Sequence, residues 1–432
     1  MGVQLLMMVA LYGTLAPARV LTLGQALETA QQHQPQLWQA RASAEAASAR
    51  ADELRAPILP QVTLTAGYQR TTANFVARPG AVPSSFNTTQ STSLDSFNFW
   101  SGGLSLNQYI WDFGVTTDRW RSSRAAAESL HQSSRAVEQQ IIAGVRIAYF
   151  NARAQLALVQ VARENLANLE LHLKQIEGFA AAGTRPKIDL AQARADRAQG
   201  QVQLISAQNA YAVAKAQLNQ AIGETGTTDY DVQDETLPPI PGEDGELLAL
   251  LDDALRARPE MAALERQIRA QELLVSSAKG AYGPAIGAAM NLTDSGSDLT
   301  NLTWNWNASL NLTWGLFQGL LTRSQVREAR ANLSAVQAQR AGVVNQVRVD
   351  VEQAHLQVRA AKATIAAVGE ALFNSRERLR LAEGRYQSGV GNVIELGDAQ
   401  VAAATAAAQS IQAEYSLATA RAALLKAMGR GL

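Results

Sequence analysis

The sequence predicts a mostly α-helical fold with a membrane β part, built from one unit that the chain carries twice. Three observations predict it: similarity between two halves of the chain at constant offsets, segments of unbroken two-residue periodicity, and proline-free helical stretches longer than a compact domain can bury.

Composition sets the bounds. A chain of 432 residues with 47% hydrophobic content can bury a sizeable core. Lys plus Arg and Asp plus Glu are 38 each, so no overall field favours nucleic acid or an acidic surface. The absence of cysteine removes disulfides, thiolate metal sites and a lipid-bearing cysteine. Met1 to Leu15 form an apolar run, and Ala16-Pro17-Ala18 supplies a small-residue cleavage pattern, so residues 1–18 read as an export signal although no basic residue precedes Arg19. Downstream no apolar run reaches the roughly 18 residues of a transmembrane helix, so a membrane span has to be made of strands.

The duplication appears at two offsets. Gln34-Pro35-Gln36-Leu37 resembles Arg258-Pro259-Glu260-Met261 at a shift of 224. At a shift of 206, Arg124-Ala125 meets Arg330-Ala331, Gly183 meets Gly389, and Leu218 to Gly223 meets Leu424 to Gly429. The difference of 18 residues falls in the polar stretch Thr71 to Ser96, which makes the longer loop of the first copy. Residues 19–222 and 259–432 are thus the two repeats, with a Pro- and Asp-rich connector over 223–258.

The strands are clearest at Leu302 to Trp314, where even positions are Leu, Trp, Trp, Ala, Leu, Leu and Trp and odd positions are neutral and polar. The length suits a tilted membrane strand, and Trp304, Trp306 and Trp314 sit near its ends. With Trp100 and Trp111 they form the expected lipid-facing aromatic girdle. Weaker alternation marks strands at about 61–70, 98–111 and 285–293. Four strands cannot close on themselves, and an open edge in hydrocarbon leaves backbone groups unpaired. Two chains would barely supply the roughly eight strands of a small barrel and three would give twelve; the residues alone allow either.

Long helices are expected over about 115–182 and 319–388, with return helices over 188–222 and 393–429. In the second copy Val344, Val347, Val351, Ala354, Val358, Ala361, Ile365, Val368, Leu372, Ser375, Leu379, Ala382 and Tyr386 alternate steps of three and four, a coiled-coil seam. Each long helix ends at a glycine turn, Gly183 or Gly389, making two antiparallel hairpins.

This layout resembles the TolC-like outer-membrane efflux proteins, also called outer-membrane factors. The resemblance rests on Leu21-Thr22-Leu23, the helix starts at Pro35 and Pro259, Leu106 to Gly114 with its counterpart Leu312 to Gly319, and the two glycine turns, all in duplicated order. It implies a homotrimer in which a twelve-stranded β-barrel, four strands per protomer, continues into a periplasmic α-barrel. It further implies an exit duct for efflux or type I secretion in the outer membrane, docked to a periplasmic adaptor and an inner-membrane transporter of RND or ABC type. By the same resemblance Glu395 and Asp398, three apart and so on one helix face, form acidic rings that close the periplasmic end. Acidic residues in a first helical turn are also favoured by the helix dipole alone. The resemblance makes Asp189 and Tyr386 a latch between hairpins. Where relatives often carry an arginine this chain has Gly391, and Arg185 or Lys187 stands in for it.

Other classes are disfavoured. Histidines 33, 131, 172 and 355 lack ligand spacing and are expected at the surface, so neither metal nor cofactor is expected. No nucleophile elbow, phosphate loop or dinucleotide fingerprint occurs, which argues against an enzyme. The alternative is a periplasmic coiled-coil adaptor, whose sheets would be soluble on both faces.

Overall fold

The computed structural model describes residues 19–72, 94–182, 186–226 and 229–431. The export signal over 1–18, most of the polar loop after the first long strand, and Gly183 and Arg185 lie outside the described residues. In chain order the elements are β1 (Arg19–Leu21), α1 (Leu23–His33), α2 (Pro35–Arg55), β2 (Gln61–Thr72), β3 (Ser96–Trp111), α3 (Val115–Ala181), α4 (Lys187–Ile222), β4 (Tyr230–Val232), α5 (Leu247–Ala257), α6 (Pro259–Gly280), β5 (Ala285–Asp298), β6 (Asn301–Thr313), α7 (Leu321–Gln387) and α8 (Val393–Ala427). The connector is more than a link, since it holds β4 and α5. The elements gather into two units: the described parts of Met1–Ala40, Ser134–Met261 and Val343–Leu432, and those of Arg41–Ser133 and Ala262–Gly342.

The second unit contains a four-stranded antiparallel sheet in the order β2-β3-β5-β6. Its registers run together across all four strands. Leu64 pairs with Leu104, Leu104 with Leu292 and Leu292 with Trp306, while on the opposite face Thr63, Ser105, Asn291 and Asn307 form the neighbouring row. A ladder bulge between Tyr109 and Trp111 shifts Trp111 opposite Ile286, on the apolar face. Without that extra residue Trp111, at an odd position, would join the asparagines. β5 runs past the expected strand end to Asp298 and places Asp294 between Gly102 and Trp304 on the face of Leu64 and Trp306, toward the end where Arg70 and Asn98 also pair.

Helix packing in this unit uses side-chain hydroxyls against backbone. Ser122 and Ser129 of α3 are buried and donate to the carbonyls of Ala270 and Ala263 of α6, both at 2.8 Å. Small residues at those positions let the two helices approach closely enough for the bonds to form.

The first unit packs the helical hairpins. On α7 the expected seam is the covered face: Val347, Val351 and Val358 are 0 to 1% exposed, Ala354, Ala361, Ala382 and Tyr386 are buried, and the remaining seam positions are half-buried. The two-stranded parallel sheet of β1 and β4 is held to α3 by Tyr149, whose hydroxyl donates to the carbonyls of Leu21 and Gln233. Thr22 explains the Leu-Thr-Leu opening: its hydroxyl accepts from the Gln25 amide, and the Gln25 side chain accepts from the Thr22 amide, a reciprocal cap for α1.

The duplicated ends serve one contact, made twice. Proline at 35 and 259 keeps Gln34 and Arg258 extended, so α1 and α5 stop there and α2 and α6 start anew. Gly223, at φ 79°, lies where a Cβ would meet the His33 carbonyl oxygen at 2.7 Å; Gly429, at φ 69°, lies where one would meet the Ala257 carbonyl carbon at 2.8 Å. Both glycines combine a left-handed conformation with an approach that no side chain permits.

The connector is fastened by charge. Glu243, 2% exposed, accepts from two guanidinium nitrogens of Arg421 at 2.9 and 2.8 Å and from the Ile240 amide at 3.0 Å, and Lys362 lies 2.7 Å away. Burial alone would push its pKa up, but the bonds from Arg421, Lys362 and Ile240 outweigh it and bring the carboxyl to about 2. The expectation of surface histidines is corrected here, because His172 and His355 are each 8% exposed. Each lies on a long helix, and neither takes part in a metal-binding cluster among the described residues.

Two outcomes follow. The Glu243 carboxyl contributes about 3 kcal/mol. This contribution is complete above pH of about 4.5 and lost as pH falls to about 2, because the folded pKa lies below the unfolded one. Acid unfolding followed by helical circular dichroism should show this loss, and Glu243→Gln should remove it while lowering stability at neutral pH. Gly223→Ala and Gly429→Ala should each cost about 1–3 kcal/mol, seen as a lower thermal midpoint. Gly144→Ala, where a Cβ meets nothing within 4 Å, should not lower it.

Candidate membrane sheet and hairpin-tip site

The sheet offers two faces of opposite chemistry. Leu64, Trp304, Trp306, Leu310 and Leu312 are all more than half exposed, an apolar surface that no other part of the described chain covers. The polar face is bound within itself: Asn291 donates to Asn307 at 3.0 Å and Thr293 to the Asn305 carbonyl at 3.4 Å. β2 and β6 each pair on one side only, so the sheet ends in two open edges. The Trp100 ring lies tilted against Tyr68 with centroids 4.5 Å apart, and Trp314, just past β6, donates to the Tyr282 carbonyl at 3.0 Å.

Where strand gives way to helix, the two copies use the same backbone device. Phe113 and Gly114, and in the second copy Gly319 and Leu320, have consecutive positive φ values. Such values are costly for Phe and Leu, and in the first copy the cost is offset by contacts. Asp112 accepts from the Thr116 amide at 2.8 Å, and Phe113 packs so closely on Gly280 and Gly283 that a Cβ on either would lie 2.5 Å from it.

At the second hairpin turn Gly389 has φ 77°, and the amides of Val390 and Gly391 both donate to the Arg385 carbonyl. The backbone is folded back so tightly that a Cβ at Gly391 would lie 3.0 Å from the Tyr386 nitrogen. A side chain there requires its neighbours to give by a few tenths of an ångström. Asn392 then caps α8, its side chain accepting from the Glu395 amide at 2.7 Å. Glu395 faces Arg385 at 3.6 Å, so a cation of the same hairpin stands beside it, where the resemblance leads one to expect Arg185 or Lys187. Lys187 begins α4.

The other expected residues part company. Tyr386 is 2% exposed in a cluster with Ile176, Ala193, Leu396 and Ala399, its ring 5.1 Å from that of His172. Burial holds the His172 pKa below its usual value, while Asp196 acts in the opposite sense. Asp398 is exposed and shares with Asp189 a groove of about 800 Å³ between α3, α4 and α8. Sequence reasoning missed Asp196 and Gln400, which also line it. The signal available was a helical stripe on α4, with Asp189, Gln192, Asp196, Gln199 and Gln203 three and four apart.

Comparison with known proteins gives the lineage. The family model described as outer membrane efflux protein matches residues 26–224 and 250–430. The protein CyaE of Bordetella pertussis is 28% identical over 419 residues, 95% of this chain and 84% of that protein. The outer membrane protein OprJ of Pseudomonas aeruginosa is 25% identical over 319 residues, 69% of this chain and 63% of that protein. The crystal structure of the CmeC outer membrane channel of Campylobacter jejuni superposes with a TM-score of 0.83 at 19% identity, over 95% of this chain and 86% of that one. The chain belongs to the outer membrane efflux protein family, and its place is the outer membrane with a helical extension into the periplasm.

Proposed function

We propose that the chain is one protomer of a homotrimeric exit duct. It conducts substrates passively from a periplasmic adaptor and an inner-membrane transporter, of RND or ABC type, to the exterior. The observation that carries this reading is the sheet β2-β3-β5-β6, with its aligned apolar face and two open edges. In hydrocarbon each unpaired edge group is costly, so the edges of β2 and β6 must meet those of neighbouring copies. Three copies of four strands make a barrel of twelve, with the Asn and Thr face lining water and the girdle of Trp100, Trp111, Trp304, Trp306 and Trp314 in lipid.

The helices support the same assembly. Val202, Ile205 and Val213 of α4, and Val349, Leu356, Phe373 and Leu381 of α7, are apolar and about half exposed or more. They lie at helical spacing on faces turned away from the hairpins' own seams, as a wall closed by neighbouring copies requires. A soluble adaptor would have no use for the exposed apolar sheet face. At the tip, Glu395 and Asp398 supply acidic rings, and Asp189 and Tyr386 latch the closed state around the turn at Gly389. Arg385 takes the part of the missing arginine.

Two experiments test this. Leu292→Lys should abolish the detergent-extracted, heat-modifiable oligomer, since a lysine in mid-membrane costs about 2–4 kcal/mol per copy. Asn291→Lys, one residue away on the water-lining face, should leave it intact; equal effects would reject the two-faced barrel. For the gate, Asp189→Ala with Tyr386→Phe should raise resting conductance in planar bilayers, and unchanged conductance would remove both residues from it.

A further inference from the structure

The two open edges of the sheet match one another end to end. Every ladder is antiparallel, so β6 runs opposite to β2 and can pair with β2 of a second copy. Even positions of both strands lie on the apolar face, so even must oppose even. Within one chain the row through Gln61 leaves β6 at Ser309. A barrel tilt of about 35–45° over four strand spacings of roughly 4.8 Å, at about 3.4 Å per residue, displaces that row by about 4–6 residues at the next copy. A step of four, from Ser309 to Thr313, sets Gln61 opposite Thr313 and Thr72 opposite Leu302. It pairs the whole of β2 and all but Asn301 of β6.

This register answers a charge that one chain leaves alone. Asp294 is half-buried, its Oδ1 is shut off from solvent without a hydrogen-bond partner, and the side chain enters no ion pair among the described residues. On its face it is flanked by Gly102, Trp304, Leu292 and Gly296, none of them charged. An unpaired carboxylate in such surroundings is unfavourable. Arg70 lies on the same face at the β2 edge, exposed, and its one side-chain bond among the described residues runs from Nε to Ser96 at 2.9 Å. Its two terminal nitrogens are left to bond elsewhere. Ala66, Gly102 and Asp294 share a row, so Arg70 of the same chain lies two strands across and four residues along, about 17 Å from Asp294. In the end-to-end register Arg70 of the partner subunit falls opposite Trp304, in the row of Asp294 and about 10 Å from it. The Trp304 ring, 67% exposed, stands between them.

We propose that Arg70 of the partner subunit reaches across Trp304 to Asp294 at each joint of the barrel, its guanidinium over the indole ring and its terminal nitrogens on the carboxylate. The pair fixes the register of closure, because a slip of two residues carries Arg70 to the row of Trp306 or Leu302. It rests on the trimeric barrel proposed above and adds to that reading which residues meet.

The chain has no cysteine, so a cysteine pair introduced on the water-lining face reads the register. Thr63→Cys with Asn311→Cys, three strands apart in one chain and opposite one another across the joint, should give disulfide-linked dimers and trimers on non-reducing gels. Thr63→Cys with Ser309→Cys or with Thr313→Cys, two residues out of register, should link far less. Arg70→Gln should lower the temperature at which the detergent-extracted oligomer dissociates, since it strands the carboxylate. Adding Asp294→Asn should recover part of that loss. Ser96→Ala, which removes the bond Arg70 makes within its own chain, should leave the temperature unchanged. Losses that add in the Arg70→Gln, Asp294→Asn double variant, or a link from position 63 to 313 in place of 311, would overturn the pair and leave the barrel standing. Absence of every link together with loss of the oligomer would reject both.

Discussion

A backbone amide in hydrocarbon has no water to bond, and the duct proposed above rests on that constraint. The inner ladders of the β2-β3-β5-β6 sheet are paired. What makes the sheet fit for lipid is that its registers agree: Leu64, Leu104, Leu292 and Trp306 share one row, and Thr63, Ser105, Asn291 and Asn307 another. A slip of one residue in any ladder would place leucines among the asparagines, so each register depends on the other two. The bulge before Trp111 restores the pattern at the point where the sequence would break it.

Duplication answers a second requirement, that helix ends be capped where they meet. Gly223 against His33 and Gly429 against Ala257 are the same close contact, and the proline after each extended residue sets the geometry. The copies then diverge in chemistry. In the first, Gln34 donates to the carbonyls of Gln220 and Ala221 in the last turn of α4. In the second, Arg258 stands at the matching place, 7% exposed, and is held by Asp350 at 3.0 Å and Glu260 at 3.6 Å. A buried guanidinium is tolerable only with such partners, so the second copy needs carboxylates that the first does not.

Much of this was legible because the signals are periodic and local. Two-residue alternation marked a strand over 302–314, where β6 is Asn301–Thr313, and steps of three and four marked the α7 face that Val347, Val351 and Val358 bury. Glycines and prolines marked ends because a backbone conformation selects them wherever it occurs. What stayed hidden depends on residues far apart in the chain. β4 is three residues long and is defined by pairing with β1, some 210 residues earlier. Glu243 looks like one more connector acid until Arg421 and Lys362 arrive from α8 and α7. Scattered polar residues usually lie at the surface, whereas the packing of the hairpins encloses His172 and His355.

The tip shows how one small residue redistributes an interaction. Gly391 brings no charge and crowds a Cβ at 3.0 Å, and the cation beside Glu395 comes from Arg385, on the turn's other limb. Both partners of that pair are exposed, at 57% and 38%, and lie 3.6 Å apart, so it contributes roughly 0.2–1 kcal/mol. Ile176, Tyr386, Leu396 and Ala399 are 0 to 3% exposed in the cluster beneath it. Each large apolar side chain of that kind contributes about 1.5–3 kcal/mol on burial. Packing therefore outweighs charge in positioning this hairpin, and the ion pair acts on the local electrostatics of Glu395 more than on the stability of the turn. In the proposed gate, opening the tip has to separate the apolar cluster around Tyr386, for which breaking the salt bridge alone is too small a change.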